Sequence, residues 1–422
     1  MDRFRATYEI ESPKGIAHAA EVLAGEQSSG TFTRLALETD ALRERSGARI
    51  ESIEVWGHAR TPALPTRTTG QSYERGRVCI SWPVETIGPS VPNLLATIAG
   101  NLFELADISA LRLLDLELPE IFATANPGPA FGVAGTRRLS ITDGPLIGTI
   151  IKPSVGLDPD ETAGLVRTLA DAGIDFIKDD ELQANGPHCP LAVRVEKVMR
   201  VLNDHAARTG RKVMYAFNIT DELDQMYRHA ELVQKAGGSC VMVSLFPVGL
   251  TGLRAVRARA GLPIHGHRAG WGIYSRSPDI GIAGPVWHKL WRLVGADHLH
   301  VNGLANKFTE SDEVVAQSAR ALQQPVATGG PDHTAMPVYS SGQTIWQMAG
   351  ARAVLGNDDF IFCAGGGIMS HPGGPGAGVI ALRQAAQAAR QKVDIHDAAR
   401  DAPELAAAMK VFTQPRIAED MP

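Results

Sequence analysis

The chain has 422 residues, of which 44% are hydrophobic and 21% charged, and its formal net charge is −5. This composition excludes extended disorder over most of the chain, and the lack of a basic excess argues against a nucleic-acid partner. The sequence has neither an apolar run of membrane-spanning length nor a signal-peptide core at its start, so we expect a cytoplasmic protein with no membrane partner.

The first part of the chain mixes strand-like and helix-like stretches without a regular order. Alternating apolar residues predict strands, and apolar residues at helical spacing predict a helix. The strands fall at 3–12, 48–59, 76–85 and 111–119, and the helix at 92–108. We therefore expect a small ferredoxin-like α+β domain over residues 1–125. The proline- and glycine-containing stretch 121–143 is typical of a linker.

From residue 145 onward, short apolar runs alternate with amphipathic stretches of helical spacing. The runs lie at 145–153, 175–180, 212–220, 239–247, 262–268, 297–303, 337–342 and 359–367. This alternation predicts an α/β architecture, a (β/α)₈ TIM barrel over residues 126–400, with a C-terminal tail at 401–422. An open doubly wound sheet is the alternative, but no glycine-rich dinucleotide turn follows the first run.

Polar residues gather where the predicted strands end, and barrel enzymes carry their chemistry at that position. Lys178, Asp180 and Glu181 end the second run. The two carboxylates are of the type that supplies oxygen ligands to Mg²⁺. Lys178 is then either a charge partner or, when carbamylated, a third anionic ligand. By itself the same acidic run is also typical of a solvated loop.

Other strand ends carry groups suited to anions. The guanidinium of Arg268 suits a phosphate or a carboxylate, and His300 adds a donor, although such residues also occur as salt-bridged core. The triple glycine 365–367 follows the eighth run, and Ser340 and Gly342 end the seventh. Glycines allow close approach of phosphate to backbone N–H groups, and this end of a barrel often binds phosphate. In isolation the glycines would predict only a turn.

Lys152 ends the first run. It is either a lysine that reaches to solvent or, beside a metal and away from bulk water, a proton shuttle with a lowered pKa. Together the strand ends predict metal-assisted chemistry on a phosphorylated carbonyl compound, in which Mg²⁺ would stabilise an enediolate.

Several motifs, in their order and spacing, resemble the large subunit of ribulose bisphosphate carboxylase (RuBisCO). They are GTIIKPSVGL, DFIKDDE, GHRA, DHLH and AGGG, with AGNLFELADISALRLLDLELP in the first domain. The resemblance spans most of the chain. It implies an N-terminal α+β domain, a catalytic barrel, and a homodimer in which each active site combines one barrel with the partner's N-terminal domain.

The resemblance also implies roles for individual residues. The implied catalytic residues are Lys152, Lys178, His267 and Lys307, and the implied Mg²⁺ ligands are carbamylated Lys178, Asp180 and Glu181. The implied substrate and phosphate contacts are Glu26, Thr31, Asn101, Arg268, His300, Ser340, Gly342, Gly365 and Gly366. Lys152 and carbamylated Lys178 are both candidates for the base, and a role for Lys307 depends on loop closure.

Several departures from the family pattern separate the chain from carboxylases that fix CO₂. Ser154 stands in place of a lysine, Phe32 of a tryptophan and Trp271 of a histidine. Ser341 replaces one glycine of a pair, and the segment NGLANKF lacks the Gly-Lys pattern of the catalytic loop. The chain therefore resembles the RuBisCO-like proteins (form IV), in their non-photosynthetic bacterial branch.

For that branch the resemblance implies an Mg²⁺-dependent lyase or hydrolase acting on 3-oxo-isoapionate 4-phosphate in apiose catabolism. Such an enzyme is either a decarboxylase or a transcarboxylase/hydrolase that yields 3-phosphoglycerate and glycolate. One alternative is an enolase or isomerase acting on a methylthio-sugar phosphate in methionine salvage. The other is a non-catalytic regulatory barrel, although the retained Lys178, Asp180 and Glu181 argue against it.

Overall fold

The computed structural model of the chain describes residues 2–29, 35–140 and 142–418. The chain forms two compact units. The first comprises Met1–Asn126, Gly270–Leu293 and Pro325–His333, and the second comprises Pro127–Ala269, Val294–Gln324 and Thr334–Pro422. None of the helices within the described ranges is long and apolar enough to cross a membrane.

The secondary structure alternates between strands and helices over most of the chain. The strands are β1 (Arg3–Ser12), β2 (Arg49–Ala59), β3 (Tyr73–Pro83), β4 (Ala110–Glu117), β5 (Leu146–Ile150), β6 (Phe176–Lys178), β7 (Met214–Asn218), β8 (Cys240–Ser244), β9 (Ile264–His267), β10 (Ile280–Ile282), β11 (His298–Asn302), β12 (Met336–Tyr339) and β13 (Ile361–Cys363). The helices are α1 (Ile16–Glu26), α2 (Asp40–Ser46), α3 (Val91–Ile98), α4 (Glu120–Ala125), α5 (Gly132–Leu139), α6 (Pro159–Asp171), α7 (Leu191–Thr209), α8 (Leu223–Lys235), α9 (Leu245–Arg257), α10 (Gly272–Ser275), α11 (Gly284–Leu293), α12 (Asp312–Leu322), α13 (Met348–Leu355), α14 (Gly366–Met369), α15 (Gly374–Gln391), α16 (Ile395–Ala398) and α17 (Pro403–Val411). Short 3₁₀ helices lie at Val84–Thr86, Leu102–Glu104, Ile345–Gln347 and Ala399–Asp401.

The first unit is built on a five-stranded sheet in the order β10-β4-β1-β3-β2. Strand β1 pairs antiparallel with β3 and β4, and β2 pairs antiparallel with β3, as in a ferredoxin-like domain. Strand β10 adds a parallel pairing beside β4. This pairing brings Gly270–Leu293 into the first unit, whereas the predicted boundary at residue 125 would leave that segment with the barrel.

The second unit contains a closed barrel of parallel strands in the order β11-β12-β13-β5-β6-β7-β8-β9. Helices α6, α7, α8 and α9 follow β5, β6, β7 and β8, and α12 and α13 follow β11 and β12. The predicted (β/α)₈ barrel with a smaller α+β domain before it is confirmed, and the open doubly wound sheet is excluded.

The start of α6 shows how the sequence directs a helix of this barrel. The Asp158 side chain accepts hydrogen bonds from the backbone N–H groups of Asp160 and Glu161, both at 2.8 Å. The Glu161 carboxylate in turn accepts from the Asp158 backbone N–H at 2.9 Å. This capping box satisfies N–H groups that the first helical turn leaves unpaired. Helix α6 therefore begins at a defined residue after β5.

Side chains on one face of the barrel strands form a packed interior and, at the carboxyl ends of the strands, a polar end. The interior cluster consists of Leu146, Phe176, Met214, Ala216, Cys240, Met242, Met336, Val338, Ile361 and Cys363. Successive strand residues face opposite sides, so residues two or four positions further along face the same way. The same spacing leads, at the carboxyl ends, to Lys152, Lys178 and Ser340. Packing and site residues thus occupy one face of each strand.

The predicted linker and the predicted C-terminal tail both contain helices. The predicted linker 121–143 contains most of α4 and all of α5, and the predicted C-terminal tail 401–422 contains α17. In α17, Leu405 and Ala408 are buried, and the Glu404 carbonyl lies 2.9 Å from Nε2 of His371. One face of this short helix packs on the barrel unit, a tertiary effect that local composition does not reveal.

Asp297, immediately before β11, ties together several segments at the amino end of the barrel. Its fully buried carboxylate accepts from the backbone N–H groups of Phe131 (2.6 Å), Gly132 (2.9 Å) and Ile264 (2.7 Å). Nη1 of Arg257 donates to it at 2.9 Å. Burial raises the pKa of Asp297, although Arg257 and the backbone donors oppose this shift. The start of α5 is thereby fixed to the barrel.

The D297N variant is expected to lower the free energy of unfolding by about 3–5 kcal/mol, because it leaves the buried Arg257 without its charge partner. Urea denaturation followed by circular dichroism measures this loss. The matched control is D160N, which removes an exposed partner of Lys197 and should change stability by less than about 1 kcal/mol. Equal losses in the two variants would contradict a structural role for the Asp297 carboxylate.

Candidate active site

The end of β6 places an amine among carboxylates. Lys178 is fully buried, and its Nζ donates to the Asp179 backbone carbonyl at 2.7 Å. The same Nζ lies 3.8 Å from Oε2 of Glu181. Burial lowers the pKa of Lys178, although Cys363, Glu181 and Asp180 oppose this shift. A lowered pKa increases the share of neutral amine, which is the form that reacts with CO₂ to give a carbamate.

Lys152, just after β5, and His267, at the end of β9, approach the same carboxylates. Nζ of Lys152 donates to Oδ2 of Asp180 at 2.6 Å and to the Ser154 hydroxyl at 2.7 Å. Nε2 of His267 lies 3.4 Å from Oε2 of Glu181. Burial holds the pKa of His267 well below its ordinary value, so its imidazole is neutral near pH 7. The structure therefore brings the five predicted metal and catalytic residues of these strands into one cluster.

A buried network beneath this cluster holds the Lys178–Glu181 loop. The Asp179 carboxylate accepts from the Tyr215 hydroxyl at 2.6 Å, the Asn218 backbone N–H at 2.8 Å and Nη2 of Arg194 at 3.1 Å. The Asn218 side-chain amide donates to the backbone carbonyls of Asp180 and Glu181, both at 3.2 Å. The Asp179 carboxylate, through Asn218, thus holds the backbone that carries the two predicted Mg²⁺ ligands, Asp180 and Glu181.

Histidines form a second cluster on β9 and β11. Nδ1 of His300 lies 2.9 Å from the Ser340 hydroxyl, and its Nε2 lies 2.7 Å from Nε2 of His265. The rings of His300 and His267 are 4.8 Å apart. Burial, and then the charges of neighbouring groups, hold the pKa of His300 well below its ordinary value. His300 is therefore a neutral hydrogen-bonding group beside Ser340.

Arg268, predicted for the same anion-binding corner, is engaged by a carboxylate from the loop after β11. Its Nη2 donates to Oε2 of Glu310 at 2.7 Å, and the Asn302 amide donates to the same oxygen. The Asn302 amide oxygen accepts from the Ser341 hydroxyl at 2.8 Å. Burial lowers the pKa of Arg268 and the Glu310 charge opposes that shift. We call Arg268, His300, Ser340 and Glu310 the arginine corner.

Two of the predicted phosphate-binding glycines lie beside Lys152 and Lys307. A Cβ built on Gly365 would stand 3.8 Å from Cε of Lys152, and one built on Gly366 would meet nothing within 4 Å. One built on Gly342, whose φ is +88°, would stand 3.7 Å from Cβ of Lys307. The Lys307 backbone N–H donates to the Ser341 carbonyl at 3.3 Å. We call Gly342, Gly365 and Gly366 the glycine corner.

Glu26, Asn101 and Thr31 are predicted to contribute to the active site of a partner subunit. The first two contact each other within the first unit. The Asn101 amide donates to Oε1 of Glu26 at 3.3 Å. The third, Thr31, lies outside the described residues, as does Phe32. The two described residues therefore form one polar pair on the N-terminal unit.

The chemistry of the donor set fits Mg²⁺. Asp180 and Glu181 provide hard carboxylate oxygens, and a carbamate on Lys178 would provide further oxygens. Within the described part of the chain, no group of three His, Cys, Asp or Glu side chains is arranged to hold a metal ion. With Asp180 and Glu181, a carbamate on Lys178 would give an anionic set of three.

Sequence reasoning assigned no site role to several residues that shape the site. They are Arg194, Tyr215, Asn218, His265, Asn302, Ser341 and Glu310 as contacts, and Asp179 as the centre of the buried network. The position of Asp179 between two predicted ligands was a signal for a supporting role. Glu310 carried no signal, because its contact with Arg268 joins residues 42 positions apart.

Comparison with known sequences decides the family. Residues 3–122 match the N-terminal domain, and residues 132–412 the catalytic domain, of the ribulose bisphosphate carboxylase large chain. The chain belongs to the RuBisCO large-chain family. The resemblance drawn from the motifs is therefore confirmed, and it extends over both units.

Relatives within the RuBisCO family share nearly the whole length of this chain. A 3-oxo-isoapionate-4-phosphate transcarboxylase/hydrolase from Xanthobacter autotrophicus is 54% identical over 97% of this chain and 99% of its own. A 3-oxo-isoapionate-4-phosphate decarboxylase from Rhizobium etli is 40% identical over 96% of this chain and 98% of its own. The crystal structure of a RuBisCO-like protein from Burkholderia fungorum superposes with a TM-score of 0.91, at 44% identity, over 98% of this chain and 100% of that one.

Proposed function

We propose that this RuBisCO-like protein is an Mg²⁺-dependent 3-oxo-isoapionate-4-phosphate transcarboxylase/hydrolase. One observation carries the proposal: the chain is 54% identical to a protein of that name over nearly the whole of both. The decarboxylase relative is 40% identical over a similar span. The higher identity favours carboxyl transfer and hydrolysis, and decarboxylation alone is the second candidate.

The substrate suits the polar end of the barrel. It is a β-keto acid, so the electrons of the bond to its carboxyl group can move onto the keto oxygen when CO₂ leaves. Asp180, Glu181 and carbamylated Lys178 would hold Mg²⁺, and the ion, when bound, would stabilise negative charge on the substrate oxygens. The backbone N–H groups of the glycine corner would bind the phosphate.

The chain's own residues would then decide the fate of the enediolate. Nζ of Lys152, which donates to Asp180 and Ser154, would hold or deliver a proton at the reacting carbons. Protonation at this stage would end in decarboxylation. If CO₂ instead joins the other carbon of the enediolate, a keto group is left on its neighbour. Water would then add to this keto carbon, the carbon–carbon bond between the two would break, and the carboxylated carbon would take up a proton. The five carbons of the substrate then leave as three in 3-phosphoglycerate and two in glycolate.

The test is a proton NMR assay in D₂O with purified protein, Mg²⁺, bicarbonate and 3-oxo-isoapionate 4-phosphate. We expect 3-phosphoglycerate and glycolate to appear in equal amounts. A four-carbon ketose phosphate carrying one deuterium would instead establish the decarboxylase. Unchanged substrate would reject both, and the methylthio-sugar phosphates would be tried next.

The G366A variant is expected to raise KM for the phosphorylated substrate about tenfold, because a methyl group would block close approach to the backbone N–H groups. The protein itself has room for that methyl group, so the melting temperature should not fall. The control is G164A in α6, which also meets nothing within 4 Å and should leave KM unchanged. A KM equal to that of the wild type in G366A would remove Gly366 from the phosphate site.

We further propose that two copies of the chain share their active sites, with the Glu26–Asn101 pair and Thr31 lent by the partner. Support comes from β2, an exposed edge strand that carries Ile53, Val55 and Trp56 at the surface. Mixing inactive E181Q and N101A subunits tests sharing, because a mixed dimer contains one intact site. Recovery of about a quarter of wild-type activity is expected, and no recovery would contradict sharing.

A further inference from the structure

The loop after β11 places a carboxylate inside the predicted anion-binding corner. The Glu310 side chain is only 10% exposed and the Arg268 side chain 18%, and their charged groups are 2.7 Å apart. The Asn302 amide donates to the same carboxylate oxygen, and the Asn306 amide donates to the Glu310 backbone carbonyl at 3.1 Å. Glu310 is therefore held in place from three directions and is not a mobile surface acid.

Hydrogen bonds connect this ion pair to the other members of the arginine corner. The Ser341 hydroxyl donates to Asn302 and lies 3.4 Å from the Ser340 hydroxyl, which in turn contacts His300. The charges of Arg268 and Glu310 cancel, and His300 is neutral. The corner thus offers hydroxyl, amide and imidazole groups, but no net positive charge to meet a second phosphate.

We propose that Glu310 is a specificity-determining residue that limits the site to substrates with a single phosphate. The glycine corner would take that phosphate, and the arginine corner would take an uncharged, hydroxyl-bearing end of the same molecule. The inference rests on the proposed function, whose substrate carries one phosphate.

Charge and burial make the corner selective. A phosphate entering it would bring about two negative charges next to a carboxylate that is largely removed from water, where repulsion is poorly screened. To bind there, the phosphate would have to expel Glu310 and break its hydrogen bonds to Arg268 and Asn302. A hydroxyl group can instead join the existing network without displacing any charge.

The experiment compares two ligands that differ by one phosphate, ribulose 1,5-bisphosphate and ribulose 5-phosphate. Their dissociation constants are measured by calorimetry on the full chain with Mg²⁺ and bicarbonate. Wild-type protein should bind the bisphosphate no more than about threefold tighter than the monophosphate. The E310Q variant should raise the preference for the bisphosphate over the monophosphate at least about tenfold above that of the wild type, because loss of the Glu310 charge lets the Arg268 guanidinium make charge-assisted hydrogen bonds to a phosphate.

The control is E313Q, which removes an exposed carboxylate at the start of α12 and should bind both ligands as the wild type does. E310A removes the same charge with a smaller side chain and should reproduce the shift if E310Q folds poorly. The proposal is overturned if the wild type already prefers the bisphosphate tenfold, or if neither Glu310 variant changes the ratio. Because no turnover is measured, a negative NMR assay would reject the proposed function without deciding this test.

Discussion

The E181Q variant is expected to turn over substrate at least about a thousandfold more slowly than the wild type. The substitution keeps the shape of the side chain but removes one of the proposed anionic ligands, and charge stabilisation by a metal is worth several kcal/mol in the transition state. Calorimetric titration with Mg²⁺ should show a matching loss of affinity. The protein should still fold, because Glu181 is partly exposed and its hydrogen-bonding shape is kept.

Glu222 provides the matched control for this variant. It lies exposed in the loop between β7 and α8, and E222Q should retain both activity and Mg²⁺ affinity. A ¹³C NMR spectrum recorded with labelled bicarbonate gives a second readout, since a carbamate signal should appear with Mg²⁺ in the wild type and vanish in K178A. Retained turnover in E181Q would reject the metal assignment.

The D179N variant is expected to lower the free energy of unfolding by about 3–5 kcal/mol, because it leaves the buried Arg194 without a charge partner. The same substitution should also weaken binding of Mg²⁺ at its predicted position. Asp179 accepts from the backbone of Asn218, whose side chain holds the carbonyls of Asp180 and Glu181. Loss of such support commonly weakens metal affinity about 10–100-fold.

Urea denaturation and Mg²⁺ titration of folded D179N separate these two effects. The control is E196Q, which breaks an exposed ion pair with Arg200 on α7 and should change stability by less than about 1 kcal/mol. A stable D179N protein with wild-type Mg²⁺ affinity would show that Arg194, Tyr215 and Asn218 hold the loop without the Asp179 charge.

Much of the fold could be predicted because strand and helix periods are local properties of the sequence. The short apolar runs around Phe176, Met214 and Met336 alternate with amphipathic helices, and that alternation is sufficient to indicate a barrel. The position of Gly270–Leu293 could not be predicted in the same way. Its place in the first unit depends on the pairing of β10 with β4, which joins residues about 170 positions apart in the chain.

The same contrast between local sequence patterns and long-range contacts applies to the site residues. The proximity of Lys178, Asp180 and Glu181 could be predicted because all three lie where β6 ends. His265 and Glu310 were not, because their roles arise from contacts with His300 and Arg268 on other segments. The sequence predicts Arg268 as an anion-binding residue, but gives no indication of the ion pair that its guanidinium makes with Glu310.

The alternation that places Phe176 and Lys178 on one face of β6 also governs how such a barrel can change over evolutionary time. An insertion or deletion inside a strand would turn every following side chain to the opposite face, so the core and the chemistry would be lost together. An insertion or deletion in the loop after a strand does not turn the side chains of that strand to the opposite face. New substrates are therefore to be reached by remodelling the loops, such as the one that carries Lys307 and Glu310, while the strands keep their length.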